Sequence, residues 1–365
     1  MGADRLEEIK TIAGNKRIGL IVNQTSILNC GEHLLDALLK NGLNVEKILA
    51  PEHGFRGTED AGALINNTID AKTGIPVLSL YGANKKPTKA QLEDIDILLF
   101  DIQDVGARFY TYISTMHYAM EAAAENDKEF IVLDRPNPND FVDGPVRKEG
   151  FTSFVGVDPI PVLHGLTVGE LARMINGEGW ILTGKNSCKL YVVQMHNWRH
   201  GDPYVLPVKP SPNLADYKAV RLYPSLCFFE GTTISVGRGT TFPFTVLGGT
   251  DRVYGNFSFT PVSLKGFDTN PLYKGKRCYG VDLRDEEFEG GLSLAYLFEF
   301  YRKAGRNGDN FFKKGGWFDL ISGTDTLRKQ IIQGLSEEEI RASWQEDLNL
   351  YKSIRKKYLL YDDYR

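Results

Sequence analysis

Glu52, His53 and Arg56 stand together in "PEHGFRG" (51–57), directly after the apolar run "VEKILA" (45–50). An acid, an imidazole and a guanidinium on a turn at the mouth of a core strand can donate a proton, orient a partner and hold an anion. Glu230 is a second acid in an apolar setting, in "FFEGT" just after two phenylalanines. Two carboxylates are what glycoside hydrolysis usually requires: one protonates the leaving oxygen and the other acts as base or nucleophile. Partial burial beside the rigid Pro51 would raise the Glu52 pKa toward the range of a proton donor. Plainer roles stay open: Glu52 pairing with His53 or Arg56, and Glu230 as a loop carboxylate fixed by backbone N–H groups.

Polar residues follow the other apolar runs as well. Asn23 and Gln24 close "RIGLIVN", Tyr81 closes "PVLSLYG", and Asp101, Gln103, Asp104 and Arg108 follow "IDILLF". Asp134, Arg135 and Asn137 follow "EFIVL". In open α/β sheets ligands bind outside the carboxyl ends of the strands, so this set predicts a concave polar site. Strand ends are also polar because loops face water. Phe55, Tyr81, Tyr110 and Tyr112 are either sugar-stacking platforms or core.

Other chemistries find less support. No G-x-G-x-x-G or G-x-x-x-x-G-K-[ST] occurs, which disfavours a nucleotide site; "VGRGTTF" has the glycines without a strand–helix unit. "TISVG" around Ser235 has Thr where a nucleophile elbow needs Gly. His196 and His200 have i, i+4 spacing, but Gly201 and Pro203 follow at once, so they are expected to be surface histidines rather than metal ligands. Asp101, Asp104 and Asp134 more plausibly bind hydroxyls or pair with Arg108 and Arg135 than hold a divalent ion. Neither metal nor cofactor is expected.

The elements that must position these residues are those of an α/β protein. Between 16 and 135, near-continuous apolar strands alternate with helical patterns such as "YTYISTMHYAMEAAAEND", which predicts a Rossmann-like, doubly wound parallel sheet. Thr167 and Glu170 predict a capping box for the helix at 166–180, and Ser336 and Glu339 one for a helix running from 336 toward "YLLY". The Pro-rich passage 202–225 is expected to lack regular helix, and 228–244 reads as a loop at the domain border. From about 245, short strands and then helices predict a smaller α+β domain, so the chain divides into a catalytic domain, 1–243, and an auxiliary one, 244–365.

At 365 residues the chain exceeds what one core usually fills. Its net charge of -4, from 43 basic and 47 acidic residues, disfavours nucleic acid or an anionic membrane as main partner. No apolar run approaches the roughly 18 residues of a membrane span. "MGADRLEEIK" lacks the apolar core of a signal peptide. Four scattered cysteines (Cys30, Cys188, Cys227, Cys278) form no zinc signature or dense disulfide framework.

Five blocks in order, "PEHGFRG", "DIQDVGARFYTYISTM", "LDRPNP", "HGLTVGELA" and "FFEGTTISVGRGTTFPF", resemble the exo-β-N-acetylmuramidases of the NamZ type, and the likeness runs from about residue 17 to the closing "YLLY". One stretch departs: "LGGTDR" follows "FPF" where the family pattern leads to a Gly-Ala-Pro-like turn. The resemblance implies a hydrolase that releases terminal, non-reducing N-acetylmuramic acid from peptidoglycan fragments in cell-wall turnover. It carries the catalytic glutamate onto Glu52 and the remaining cleft residues onto His53, Arg56, Asp101, Gln103, Asp104, Arg108, Tyr112, Asp134, Arg135, His164, Glu230 and Arg238. The second carboxylate is expected to be Glu230, or else Asp104. Muramic acid carries a lactyl carboxylate that a guanidinium could bind bidentately, with Arg56, Arg108, Arg135 and Arg238 as candidates. A non-catalytic extracytoplasmic protein that captures muropeptides is the alternative. Either reading predicts a periplasmic or secreted protein whose leader is absent from this chain.

Overall fold

Alternate side chains of the apolar strands enter two separate cores, as the two-residue period of a strand dictates. Ile18, Leu20 and Val22 pack into one cluster, Ile21 into the other, and both are closed to solvent. The computed structural model describes residues 1–52, 54–55, 68–82, 84–181, 184 and 187–364, so His53 and Arg56 lie outside the described residues. The strands of the larger part are β1 (Ile18–Val22), β2 (Val45–Ala50), β3 (Thr68–Ile69), β4 (Pro76–Ser79), β5 (Ile97–Asp101), β6 (Glu129–Leu133), β7 (Val142–Asp143), β8 (Leu163–His164) and β9 (Lys189–Val193).

Among the described residues, one sheet has the order β3-β4-β2-β1-β5-β6-β9. Only β3 is antiparallel. The parallel strands therefore run 3-2-1-4-5-6 in chain rank, the doubly wound order whose reversal falls between β1 and β5. Helices α1 (Leu6–Ala13) and α2 (Leu34–Lys40) cover one face. The short α3 (Lys89–Leu92), α4 (Tyr112–Glu125) and α5 (Val168–Gly177) pack with the other. Both cores together leave no face of β1 or β5 in water.

Helix α6 (Tyr217–Leu226) corrects the expectation of an irregular Pro-rich passage. Asp216 starts it by accepting from Ala219 N–H at 2.8 Å. Pro224 cannot donate to the carbonyl of Val220, and the Asn139 side-chain amide donates to that carbonyl instead, at 2.9 Å. A smaller antiparallel sheet, β10 (Val246–Gly249), β11 (Phe257–Phe259) and β12 (Cys278–Asp282), follows in the order β10-β12-β11. "LGGTDR" thus begins inside a strand.

The closing helices are α7 (Ala295–Lys303), α8 (Gly308–Phe311), α9 (Trp317–Ser322), α10 (Thr326–Gln333), α11 (Glu337–Ser343) and α12 (Gln345–Arg355). Both predicted capping boxes form. The last predicted helix is broken at Trp344, whose ψ of 3° takes it out of the helical range while its ring stays buried. No helix among the described residues is long and apolar enough to cross a membrane, and the four cysteines are free.

His200 is not a surface histidine. It is fully enclosed between Asp140 and Glu170, each 3.0 Å from a ring nitrogen, whereas His196 is exposed. The same carboxylates hold the end of the chain: Glu170 accepts from Leu360 N–H at 2.8 Å and Asp140 from the Tyr364 hydroxyl at 2.9 Å. Burial opposes protonation of His200, but its bonds to Asp140 and Glu170 outweigh burial and raise its pKa from 6.5 to about 9. A raised histidine contributes stability that is complete below its unfolded pKa and lost as pH rises through the folded one. Thermal stability is expected to fall between pH 6.5 and about 9. Melting curves of His200→Gln across that range should show a shallower fall, with the remainder owed to His117, which Asp158 and Glu121 raise in the same way against burial.

Candidate active site

A cavity of about 460 Å³ opens beyond the ends of β2 and β4, within the ~300–1,000 Å³ typical of small-molecule sites. Glu52, Tyr81, Thr111 and Tyr112 line it from the sheet side; Glu230, Arg238, Phe244 and Trp317 line it from the later part of the chain. The order reversal between β1 and β5 is closed by the chain itself. Ser26 donates its hydroxyl to Asp101 O, and the Thr25 hydroxyl oxygen accepts from Gln103 N–H at 3.0 Å. The site therefore sits to one side of the usual crevice.

Glu52 follows Pro51 at the end of β2. The hydroxyl of Thr111, the residue that begins α4, donates to Glu52 Oε2 at 2.8 Å rather than capping its own helix. Tyr112 donates to the Glu52 carbonyl and to Pro210 O, at 3.4 Å each. The Tyr81 phenol is driven well up, first by burial and then by the charge of Glu52 and a hydrogen bond to it. Hydroxyls both donate and accept, so Thr111 and Tyr81 can serve Glu52 with or without its proton.

Glu230 enters the cavity because α6 tightens into a 3-10 turn over Cys227–Gly231 instead of ending in a loop. Arg238 Nε donates to Glu230 Oε1 at 2.5 Å, the Cys227 thiol faces Oε2 at 3.8 Å, and Lys313 donates to the Glu230 carbonyl at 3.0 Å. Arg238 is presented by two glycines with positive φ, 79° at Gly237 and 78° at Gly239. A Cβ on Gly239 would lie 2.6 Å from Val262 O. The glycines of "VGRGTTF" thus aim an arginine and form no phosphate cradle.

Of the residues predicted from sequence, the cavity brings together Glu52, Tyr81, Tyr110, Tyr112, Glu230 and Arg238. Asp101, Gln103, Asp104, Arg108, Asp134, Arg135 and His164 do not line it; they are buried and held from within. Arg135 grips Asp101 through Nε at 2.5 Å and Nη2 at 2.8 Å. Arg108 donates to Pro145 O and Ile160 O at 2.8 Å and to Ile321 O at 2.9 Å, and burial pushes its pKa down to about 9. Its acceptors are neutral carbonyls of the protein, which leaves it no reach to a ligand. Asp134 accepts from Thr167, Gly169, Tyr361 and the Arg135 amide. Gln103 donates to Asp104 O and Pro136 O, and Asp104 meets Gly106 N–H and His164.

Thr111, Lys85 and Trp317 are among the lining residues that the sequence does not single out. The position of Thr111 at a helix start was the available signal for the first. Among the described residues no group of three or more His, Cys, Asp or Glu could hold a metal ion, and Ser235 is a buried hydroxyl bonded to Gly237 N–H.

Two arginine substitutions separate the two kinds of residue. Arg135→Met leaves Asp101 charged, buried and unpaired, a change that costs about 3–5 kcal/mol, and chemical denaturation should read that loss. Arg238→Met, in a partly exposed pair facing the cavity, should lower the unfolding free energy by less than Arg135→Met does while impairing whatever the cavity does.

Residues 18–218 match the family description "Exo-beta-N-acetylmuramidase NamZ, N-terminal" and residues 221–361 its C-terminal counterpart. The peptidoglycan β-N-acetylmuramidase NamZ of Bacillus subtilis (strain 168) is 40% identical over 380 residues, covering 98% of this chain and 89% of that protein. Two solved structures of DUF1343 family proteins from Bacteroides fragilis NCTC 9343 are similar throughout. Their TM-scores are 0.90 and 0.85 at 46% and 33% identity, over 100% and 99% of this chain and 99% and 98% of theirs. With matched segments that together span nearly its whole length, the chain belongs to the NamZ exo-β-N-acetylmuramidase family.

Proposed function

We propose that the chain is an exo-acting glycosidase that hydrolyses the β-linkage of a terminal N-acetylmuramic acid in peptidoglycan fragments, with Glu52 as proton donor to the leaving oxygen. The observation that carries the site assignment is the pairing, in one cavity, of Glu52 held by hydroxyls with Glu230 held by a guanidinium. A hydroxyl partner can follow Glu52 through loss of its proton. A guanidinium only donates, which suits Glu230 as the acceptor carboxylate that activates water or meets the cationic sugar.

Asp104 is set aside as the second carboxylate, because its Oδ2 is occupied by Gly106 N–H and His164 and its side chain does not line the cavity. Family membership favours catalysis over mere capture of muropeptides. Peptidoglycan lies outside the cytoplasm, so the same reading assigns the protein an extracytoplasmic site of action, which cell fractionation with an antibody would test.

Purified protein should release the chromophore from a chromogenic β-N-acetylmuramide and not from the matching glucosaminide. Glu52→Gln should reduce kcat/KM by about 10²–10⁴-fold with little change in melting temperature. Wild-type rates in that variant would remove Glu52 from the role, and no release by the wild-type protein would favour a binding function.

A further inference from the structure

Lys85 stands in the cavity wall with no carboxylate partner among the described residues. Its neighbour Lys86 shows what a spent lysine looks like, with its ammonium 3.2 Å from Glu121 and 2.6 Å from Glu125. The Lys85 ammonium instead lies over the Phe154 ring, 4.5 Å from its centroid. Phe154 is itself held firmly. Its ring stacks on Tyr118 at 6.2 Å with an interplanar angle of 2°, and its carbonyl accepts from the Ser114 hydroxyl at 2.7 Å. Both supports come from α4, the helix whose first residues meet Glu52.

Among the described residues, the charges of the cavity wall are Glu52, Glu230, Lys85 and Arg238. Arg238 and Glu230 cancel each other. Of the other arginines suited to an anion, Arg108 and Arg135 are consumed by internal acceptors, and Arg56 lies outside the described residues. Among the described residues this leaves Lys85, a cation poised over an aromatic face, a contact that holds an ammonium weakly and yields readily to a carboxylate.

We infer that Lys85 is the specificity-determining residue that binds the lactyl carboxylate of the muramyl unit. This rests on the reading of the cavity as a muramidase site. N-acetylglucosamine has the same ring and acetamido group without the lactyl ether, so a cation placed for that carboxylate distinguishes the two sugars. An ammonium on a flexible stem acts as a point charge and tolerates rotation about the ether. Because the carboxylate is remote from the bond being broken, its contact is the same in ground and transition states and acts through KM.

The test compares a chromogenic β-N-acetylmuramide with its neutral lactyl methyl ester, in wild-type protein, Lys85→Met and Lys85→Arg. Wild-type kcat/KM should favour the acid over the ester by about 10–100-fold, the usual worth of a hydrogen bond to a charged group. Lys85→Met should bring that ratio close to one through KM, with kcat nearly unchanged, and Lys85→Arg should restore much of it. An unchanged acid-to-ester ratio in Lys85→Met overturns the assignment while leaving the muramidase reading intact. Calorimetric binding of free N-acetylmuramic acid against N-acetylglucosamine needs no turnover. A preference for the former in wild type that is lost in Lys85→Met supports the assignment even if Glu52 proves not to be the acid. Absence of that preference in wild type overturns it. Equal melting temperatures for the variants are expected, since Lys85 makes no ion pair among the described residues.

Discussion

The Asp101–Arg135 ion pair closes the carboxyl end of the central strand β5, with both side chains at 1% exposure or less. Taking two charges out of water costs several kcal/mol each, and only close, multiple hydrogen bonds offset it. Arg135 supplies them by gripping both carboxylate oxygens and donating to Ile27 O at 3.1 Å. Asp134, the preceding residue, is tied to the loop before α5 and to Tyr361 near the end of the chain. The middle strands thus end in a sealed polar layer. The cavity that holds Glu52 and Glu230 opens where that layer stops, beyond β2 and β4.

That seal explains which parts of the site could be read in the sequence. The alternation of apolar runs and helical patterns identified β1, β2, β4, β5 and β6 near their observed places, because buried parallel strands have no other composition. Every one of them ends in polar residues, and the reason differs from strand to strand. Whether Asp101 faces a sugar or an arginine depends on a residue 34 positions away, and the Tyr361 hydroxyl reaches Asp134 across 227 positions. Periodicity carries no such information. Helix α6 was hidden for a related reason: Pro224 argues locally against helix, and the remedy comes from Asn139, 81 residues earlier than Val220. Lys85 was invisible because a lysine beside another lysine looks like a solvated surface.

The two carboxylates reach the cavity by different structural routes. Glu52 is set by a rigid element, the end of β2 braced by Pro51. Glu230 is set by the tightening of α6 into a 3-10 turn, and its arginine by a pair of glycines whose backbone conformation other residues rarely adopt. The core leaves this second group little slack. Phe228 and Phe229, just before Glu230, are fully buried, and their rings pack edge-on or tilted against Phe109, Phe300 and Phe318. The apolar cluster that joins the sheet to the later helices therefore also fixes the position of Glu230 opposite the sheet-borne residues.

Thr111 links this architecture to the chemistry. A threonine at a helix start normally satisfies its own helix's first N–H groups, yet here its hydroxyl is given to Glu52 and no side chain caps α4. Thr111 has helical rather than extended backbone angles (φ -73°, ψ -5°), and the positive end of the 14-residue helix has no side-chain cap beside the cavity. An acid that gives up its proton gains negative charge as the bond to the leaving oxygen breaks. With Glu52 as the proposed proton donor, the Thr111 hydrogen bond and the helix end would both strengthen as that charge appears and so favour the transition state over the bound substrate, the condition for an interaction to accelerate a reaction. A side-chain cap would make α4 the more stable helix; as it stands, the positive end of α4 begins beside the carboxylate on which the proposed reaction would develop charge.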